Sequence, residues 1–137
     1  MKTKIAYISG PITGLLNGNF DSFMNAQKKL EHDGYIVVNP HEIGADIYKK
    51  WETIERPDNN VKAQKLNDEM WCEFMKNDIQ HLVKCDCVML LDNYETSRGC
   101  RLEIVIAQKL NIPIYYFRDY KLFDITFDIK KQERVPL

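Results

Sequence analysis

Two acidic residues fall where the pattern of the chain calls for apolar ones. In the stretch Asp92–Ala107, DNYETSRGCRLEIVIA, Glu103 has Gly99 and Cys100 at i−4 and i−3 and Ile106 and Ala107 at i+3 and i+4. A helix through this segment carries Glu103 on its apolar face, where an unpaired carboxylate is costly. The second acid is Asp78, four residues from both Phe74 and Leu82 within Lys62–Lys84. Leu66, Met70, Trp71, Phe74, Met75, Ile79, Leu82 and Val83 of that segment share one broad face at ~100° per residue. Two carboxylates converging in a partly apolar cleft push their pKa values apart, leaving one acid beside one anion. Such a pair suits cleavage of a glycosidic bond, with a nucleophile at the sugar and an acid at the leaving group.

Each acid also has a plainer reading. Glu103 has Arg98 and Arg101 close by in sequence for an ion pair, or borders the apolar face as a surface residue. Asp78 instead caps a final helical segment if FMKNDIQHL breaks near Asn77. What favours a shared site is the company they keep. Between the apolar run Val88–Leu91 and the helix of Glu103 lies a short polar loop, from Asp92 to Gly99, with Ser97 and Arg98. A strand, a glycine-bearing turn and a helix start make a natural ligand site in an open α/β sheet. The free N–H groups of the helix start suit a phosphate or carboxylate. Ser97 is equally a plain N-cap, and the two roles are compatible.

The elements that must position these residues alternate strand and helix. Lys4–Ser9 is a β-branched and aromatic run ended by Gly10-Pro11, a strong breaker. Phe20, Phe23, Met24, Ala26 and Leu30 form a helical stripe in Asn19–Asp33, with Asn19 or Asp21 as cap and Gly34 after its end. Tyr35–Val38, closed by Asn39-Pro40, reads as a second buried strand, Cys87–Leu91 as a third and Ile112–Phe117 as a fourth. Strand, crossover helix, strand is the unit of a parallel sheet. Phe123, Ile125, Phe127 and Ile129 alternate with polar residues, the period of a half-exposed edge strand or a pairing surface. The chain therefore reads as one α/β domain, a mostly parallel open sheet of about five strands flanked by helices. The stretch from His41 to about Asn60 shows no clean period. With the residues up to about 70 it reads as a lid or insertion, or as an ordinary excursion with its own apolar cluster.

Strand and helix rises bring the two acids to similar depth. Asp78 stands roughly 10 Å above the end of its helix, and Glu103 about 8 Å below the top of its own. Both then lie near the carboxyl edge of the sheet, beside Gly10-Pro11 and Ser97-x-Gly99.

Bulk properties exclude several classes. A chain of 137 residues has the length of one domain with a real core. Nineteen basic and twenty acidic residues, net charge −1, give no pull towards a nucleic-acid polymer or an anionic membrane. The start MKTKIAYISG lacks a signal-peptide run and no stretch reaches transmembrane length, so the protein reads as cytoplasmic. Cys72, Cys85, Cys87 and Cys100 then read as reduced thiols. Cys85-x-Cys87 with His81 makes a partial metal set, outweighed by small apolar residues at a strand start. No cofactor or metal is called for.

The ordered set Tyr7-Ile-Ser-Gly10-Pro11, Asn77-Asp78, Cys85-Asp86 and Ser97-x-Gly99-x-x-x-Glu103 resembles the nucleoside 2-deoxyribosyltransferase superfamily, over residues 4–40 and 72–117. That superfamily includes 2′-deoxynucleoside 5′-monophosphate N-glycosidases and small bacterial and phage domains, which the chain resembles most closely. The resemblance implies a flavodoxin-like, Rossmann-like sheet, in homodimers or larger homo-oligomers that complete the site from a neighbouring chain. It casts Glu103 as nucleophile at C1′ of a deoxyribosyl group, Asp78 as the group that contacts or protonates the departing base, and Tyr7 as orienting Glu103. It implies that Ser9, Gly10, Pro11, Asp92, Ser97, Arg98 and Gly99 line a substrate that is a small nucleotide or nucleoside. By the same resemblance, serine at position 97 marks a monophosphate, since transferases of free nucleosides carry an acid there.

The chain departs from the pattern at Arg101, where relatives often have a small residue and a long side chain would crowd the site or grip phosphate. It departs also at Pro11, where the hydrolases tend to have a small hydroxyl residue. Residues 41–70 have no counterpart, and Asn39-Pro40-His41-Glu42 stands at the site's edge as further lining. The expected function is N-glycosidic cleavage of a deoxynucleotide through a glycosyl–Glu103 intermediate, by hydrolysis or base transfer. The alternative is a nucleotide-binding or sensing module on the same fold.

Overall fold

Ile5–Ser9 (β1) lies inside a four-stranded sheet of order β2-β1-β3-β4, formed with Ile36–Val38 (β2), Cys87–Leu90 (β3) and Ile114–Tyr116 (β4). The computed structural model describes residues 3–123. All three strand pairings are parallel, with Tyr7 opposite Val38 on one side and Val88 on the other. The α/β open sheet expected from the sequence is therefore present, with four strands among the described residues. The fifth expected strand, Phe123–Ile129, lies outside them apart from Phe123.

Phe20–His32 (α1) connects β1 to β2, and Arg98–Lys109 (α5) connects β3 to β4. Alternation along β1 assigns the faces, because successive side chains of a strand point opposite ways. Ala6 and Ile8 pack with Phe23, Ala26 and Leu30 of α1. Tyr7 lies on the other face, with Leu82, Cys100, Ile104 and Ala107. The chain passes from β1 outwards to β2, then back across β1 to β3. The gap between β1 and β3 is thus the switch point of the sheet, where open α/β folds place ligands.

Helix α1 ends as its glycine demands. Gly34 has φ +98, its N–H donates to the Glu31 carbonyl, and that of Tyr35 to the Leu30 carbonyl, the paired closure of a Schellman motif. Its start differs from expectation. Asn19 occupies the cap position in a left-handed conformation, φ 62, and makes no side-chain capping bond. Strand β2 differs too, since Ile36 is 55% exposed. It is an edge strand, not a buried one, with no strand on its outer side among the described residues.

The stretch from His41 to Asn60, expected as aperiodic, is mostly helical. Pro40–Ile43 (α2) is capped by the Asn39 side chain, which accepts from the His41 N–H at 2.9 Å. Ala45–Glu52 (α3) follows, and Asn60–Leu82 (α4) starts two residues before the expected boundary, capped by Asn59. Helices this short show less than three turns of pattern, which hides their period. Trp51 of α3 donates its indole N–H to Glu73 of α4 at 2.9 Å, and Asn77 donates to the Ile43 carbonyl at 3.0 Å. No described helix is long and apolar enough to cross a membrane.

At the start of β1, Asp86 holds the register. Its Oδ2 accepts from the Ile5 N–H at 2.8 Å while its own N–H donates to the Ile5 carbonyl at 2.8 Å. Replacing Asp86 with alanine leaves that strand donor without its partner, an expected loss of about 1 kcal/mol. Urea unfolding checks it. The midpoint falls at unchanged slope for Asp86→Ala and less for Asp86→Asn, and an unchanged midpoint in both contradicts the role.

Candidate active site

Glu103 stands on the inner face of α5 with Cys100, Ile104 and Ala107, and is 5% exposed. Its partners are neither of the arginines offered by the sequence. Ser9 donates its hydroxyl to Oε1 at 2.7 Å, and Tyr7 donates its phenol to Oε2. Tyr7 and Ser9 share one face of β1 because they are two residues apart. Burial, with the nearby Glu103 and Asp78 charges, holds the Tyr7 phenol well above its usual range, so it remains a donor.

Asp78 projects from α4, which runs unbroken from Asn60 to Leu82. The alternative of a helix break near Asn77 is therefore set aside. Asp78 is 7% exposed, and its Oδ1 has no hydrogen-bond partner among the described residues. Burial and then the charge of Glu103 raise its carboxyl from the ordinary 3.8 to about 8. Burial also raises Glu103 to about 7, against the opposing hydrogen bonds of Tyr7 and Ser9. The two acids thus lie within electrostatic reach of one another, as their positions on the chain suggested. One has two hydroxyl donors, which favour its ionised form; the other has none among the described residues, which favours its protonated form.

The carboxyl edge of the sheet supplies the surroundings. Gly10 lies where a Cβ would meet Leu91 Cδ1 at 2.7 Å, so only glycine lets the ends of β1 and β3 close together. Pro11 is buried behind it. Ser97 caps α5, its hydroxyl oxygen accepting from the Cys100 N–H at 3.2 Å. A Cβ on Gly99 would meet Met75 Sδ at 3.2 Å, which brings the start of α5 onto α4. Arg98, exposed, stacks its guanidinium on Trp71, 3.7 Å from the ring centroid.

Three residues at or near the expected site have protein partners of their own. Asp92 is exposed and faces Arg118 at 3.8 Å. Arg101 is buried and donates Nη1 to the Glu95 carbonyl at 2.9 Å. Through that bond it braces the loop before α5. His41 turns Nε2 to the Gly18 carbonyl at 2.8 Å, tying α2 to the loop after β1. Cys85 and Cys87 are buried as small apolar residues, and no group of three or more metal-binding side chains occurs among the described residues. Nothing in the sequence separates Trp71 from the apolar stripe of α4; only its pairing with Arg98 singles it out.

Two surface hollows lie elsewhere, one of about 470 Å³ on the outer face of α4 and one of about 170 Å³ beside Tyr35 and Tyr120. Chemically, the enclosed pair offers a carboxylate oriented by two hydroxyls and a neighbouring carboxylic acid, the equipment for nucleophilic attack with proton donation.

These features define an open parallel α/β sheet with a buried carboxyl pair at its switch point. The chain belongs to the family described as Domain of unknown function (DUF4406), whose model matches residues 4–116. Among solved structures it is similar to a 2-deoxyribosyltransferase from the psychrotolerant bacterium Bacillus psychrosaccharolyticus, at 17% identity. That likeness covers 92% of this chain and 90% of the other, with a TM-score of 0.54, and speaks for the fold. No curated protein matches the chain.

The raised acid makes a stability prediction. A carboxyl whose pKa rises on folding binds more protons folded than unfolded, so stability is fullest below about 4 and falls as pH climbs towards about 8. Asp78→Asn, which does not titrate, is expected to melt several degrees above the wild type at pH 8, with the gap shrinking steadily as pH falls and smallest near pH 4. Thermal melts at the two pH values decide, and a difference that does not grow with pH counts against a buried, unpartnered Asp78.

Proposed function

We propose that the protein cleaves the N-glycosidic bond of a 2′-deoxynucleotide, preferentially a 5′-monophosphate, through a glycosyl–Glu103 intermediate. The observation that carries this reading is the buried Glu103 carboxylate held by Tyr7 and Ser9 beside the unpartnered acid of Asp78. The fold shared with a 2-deoxyribosyltransferase supports it, as does the resemblance of the residues around both acids.

The steps follow from the two protonation states. Glu103, ionised, attacks C1′ of the deoxyribosyl group. The bond from C1′ to the base nitrogen breaks, and its electron pair leaves with the base, which takes the proton of Asp78. Water or a second base then attacks C1′, and the bond to Glu103 breaks. The proton of the attacking water or base passes to the Asp78 carboxylate, restoring the pair. Tyr7 and Ser9 fix the carboxylate's direction and favour its ionised form against the burial that raises it to about 7, near the range in which an acid and a base must coexist. Glu103 is 5% exposed, so the anomeric carbon reaches it only as groups over the carboxyl edge shift aside. On this reading the N-terminus of α5, with Ser97, Arg98 and Gly99, receives the phosphate.

Incubation with the four deoxynucleoside 5′-monophosphates, followed by chromatography, tests the reaction. Free base is expected from the wild type, with a loss of at least about 10³-fold in Glu103→Ala, the scale on which removing a nucleophile acts. Binding of a monophosphate without base release would favour the rival, a nucleotide-sensing module. The phosphate preference has its own test in Ser97→Asp. A carboxylate there repels phosphate, so kcat/KM for the monophosphate should fall at least about tenfold while that for the free nucleoside holds or rises. Equal losses on both substrates would remove Ser97 from the phosphate site.

A further inference from the structure

The stack of Arg98 on Trp71 has no place in the chemistry above. Arg98 is the first residue of α5, exposed, with its guanidinium carbon 3.7 Å from the Trp71 ring centroid. No ion pair or hydrogen bond engages it among the described residues. Stacking uses the flat face of the guanidinium and leaves the N–H groups along its edge available. Trp71 and Asp78 are seven residues apart on α4, two turns and roughly 10 Å along one face. Arg98 and Glu103 are five apart on α5, about 7–8 Å along the axis. The stack therefore joins the two helices that carry the two acids, one to two turns from each.

The geometry points to Trp71 as a positioning residue that pre-sets Arg98 for the 5′-phosphate of the substrate. It rests on the reaction proposed above and adds a specificity element from a different helix. A free surface arginine gives up rotamer freedom when it grips an anion. An arginine already laid on an indole has lost most of it, and its fork stands ready for bidentate contact. Trp71 thereby acts on phosphate affinity without touching substrate, and α4 contributes both the proton donor and the support of the anion-binding arm.

The effect should divide the substrates. Trp71→Leu is expected to raise KM for a deoxynucleoside 5′-monophosphate about 2- to 5-fold at near-constant kcat, the range of an exposed cation–π contact. The free nucleoside should show no such change, and Trp71→Phe, which keeps a ring, should restore much of the affinity. A second readout needs no turnover: tryptophan emission of the wild type during titration with inorganic phosphate or 2-deoxyribose 5-phosphate. A saturable change is expected, absent in Trp71→Phe and in Arg98→Ala. KM rises of equal size on both substrates, a monophosphate KM unaltered in Trp71→Leu, or a wild-type emission change that persists in Arg98→Ala, overturn the inference. If the wild type releases base from neither substrate, the proposed reaction fails, and the phosphate titration still decides whether Trp71 serves an anion site at Arg98.

Discussion

A negative charge sealed in the interior, with two hydroxyls aimed at it, is the constraint around which this molecule is arranged. Removing a carboxylate from water costs several kcal/mol, and hydrogen bonds to a charged group each return about 1.5–3 kcal/mol. Tyr7 and Ser9 offset part of that cost for Glu103, and the remainder shows as a pKa raised to about 7. Asp78, equally enclosed, has nothing to offset it and is raised to about 8. The two groups titrate as a coupled pair, and the order of their ionisation is what the structure fixes: two donors on one carboxyl, none on the other.

That arrangement binds the fold to the site. Tyr7 and Ser9 can both meet Glu103 only if β1 is an inner strand, with α5 laid across the face that its odd-numbered residues present. The even-numbered residues, Ala6 and Ile8, close the opposite face against α1. Gly10 lets β1 and β3 approach where their ladder ends, and Asp86 fixes its beginning. Between those two points the register leaves little freedom, and a slip of one residue would turn Tyr7 and Ser9 away from Glu103.

Much of this was legible in the chain. Glu103 and Asp78 betray themselves by interrupting apolar stripes, because a helical period is a local property that a window of sequence contains. Tyr7 and Ser9 share a face by the same kind of rule, though nothing in the sequence shows that Ser9 donates to Glu103. The exposure of Ile36 was not legible, since Ile36-Val37-Val38 is as apolar as an inner strand. Strand order depends on which distant segment pairs on each side. Helices α2 and α3 were missed for want of turns to display a period. The positions of Arg101 and Arg98 followed neither expectation of an ion pair to Glu103, because a long flexible side chain finds its partner in three dimensions: a carbonyl of the preceding loop for one, an indole from another helix for the other.

The phenol of Tyr7 and the carboxylate of Glu103 are separated by 96 positions along the chain. Closing so large a loop carries an entropy penalty that only the accumulated contacts of the sheet and both helices repay. During synthesis, a chain that has emerged as far as β3 holds Asp78 and Tyr7 but no acidic partner for either hydroxyl of β1. The reactive constellation therefore cannot exist until α5 has formed and packed on the face of β1, which couples the arming of the site to the docking of that helix.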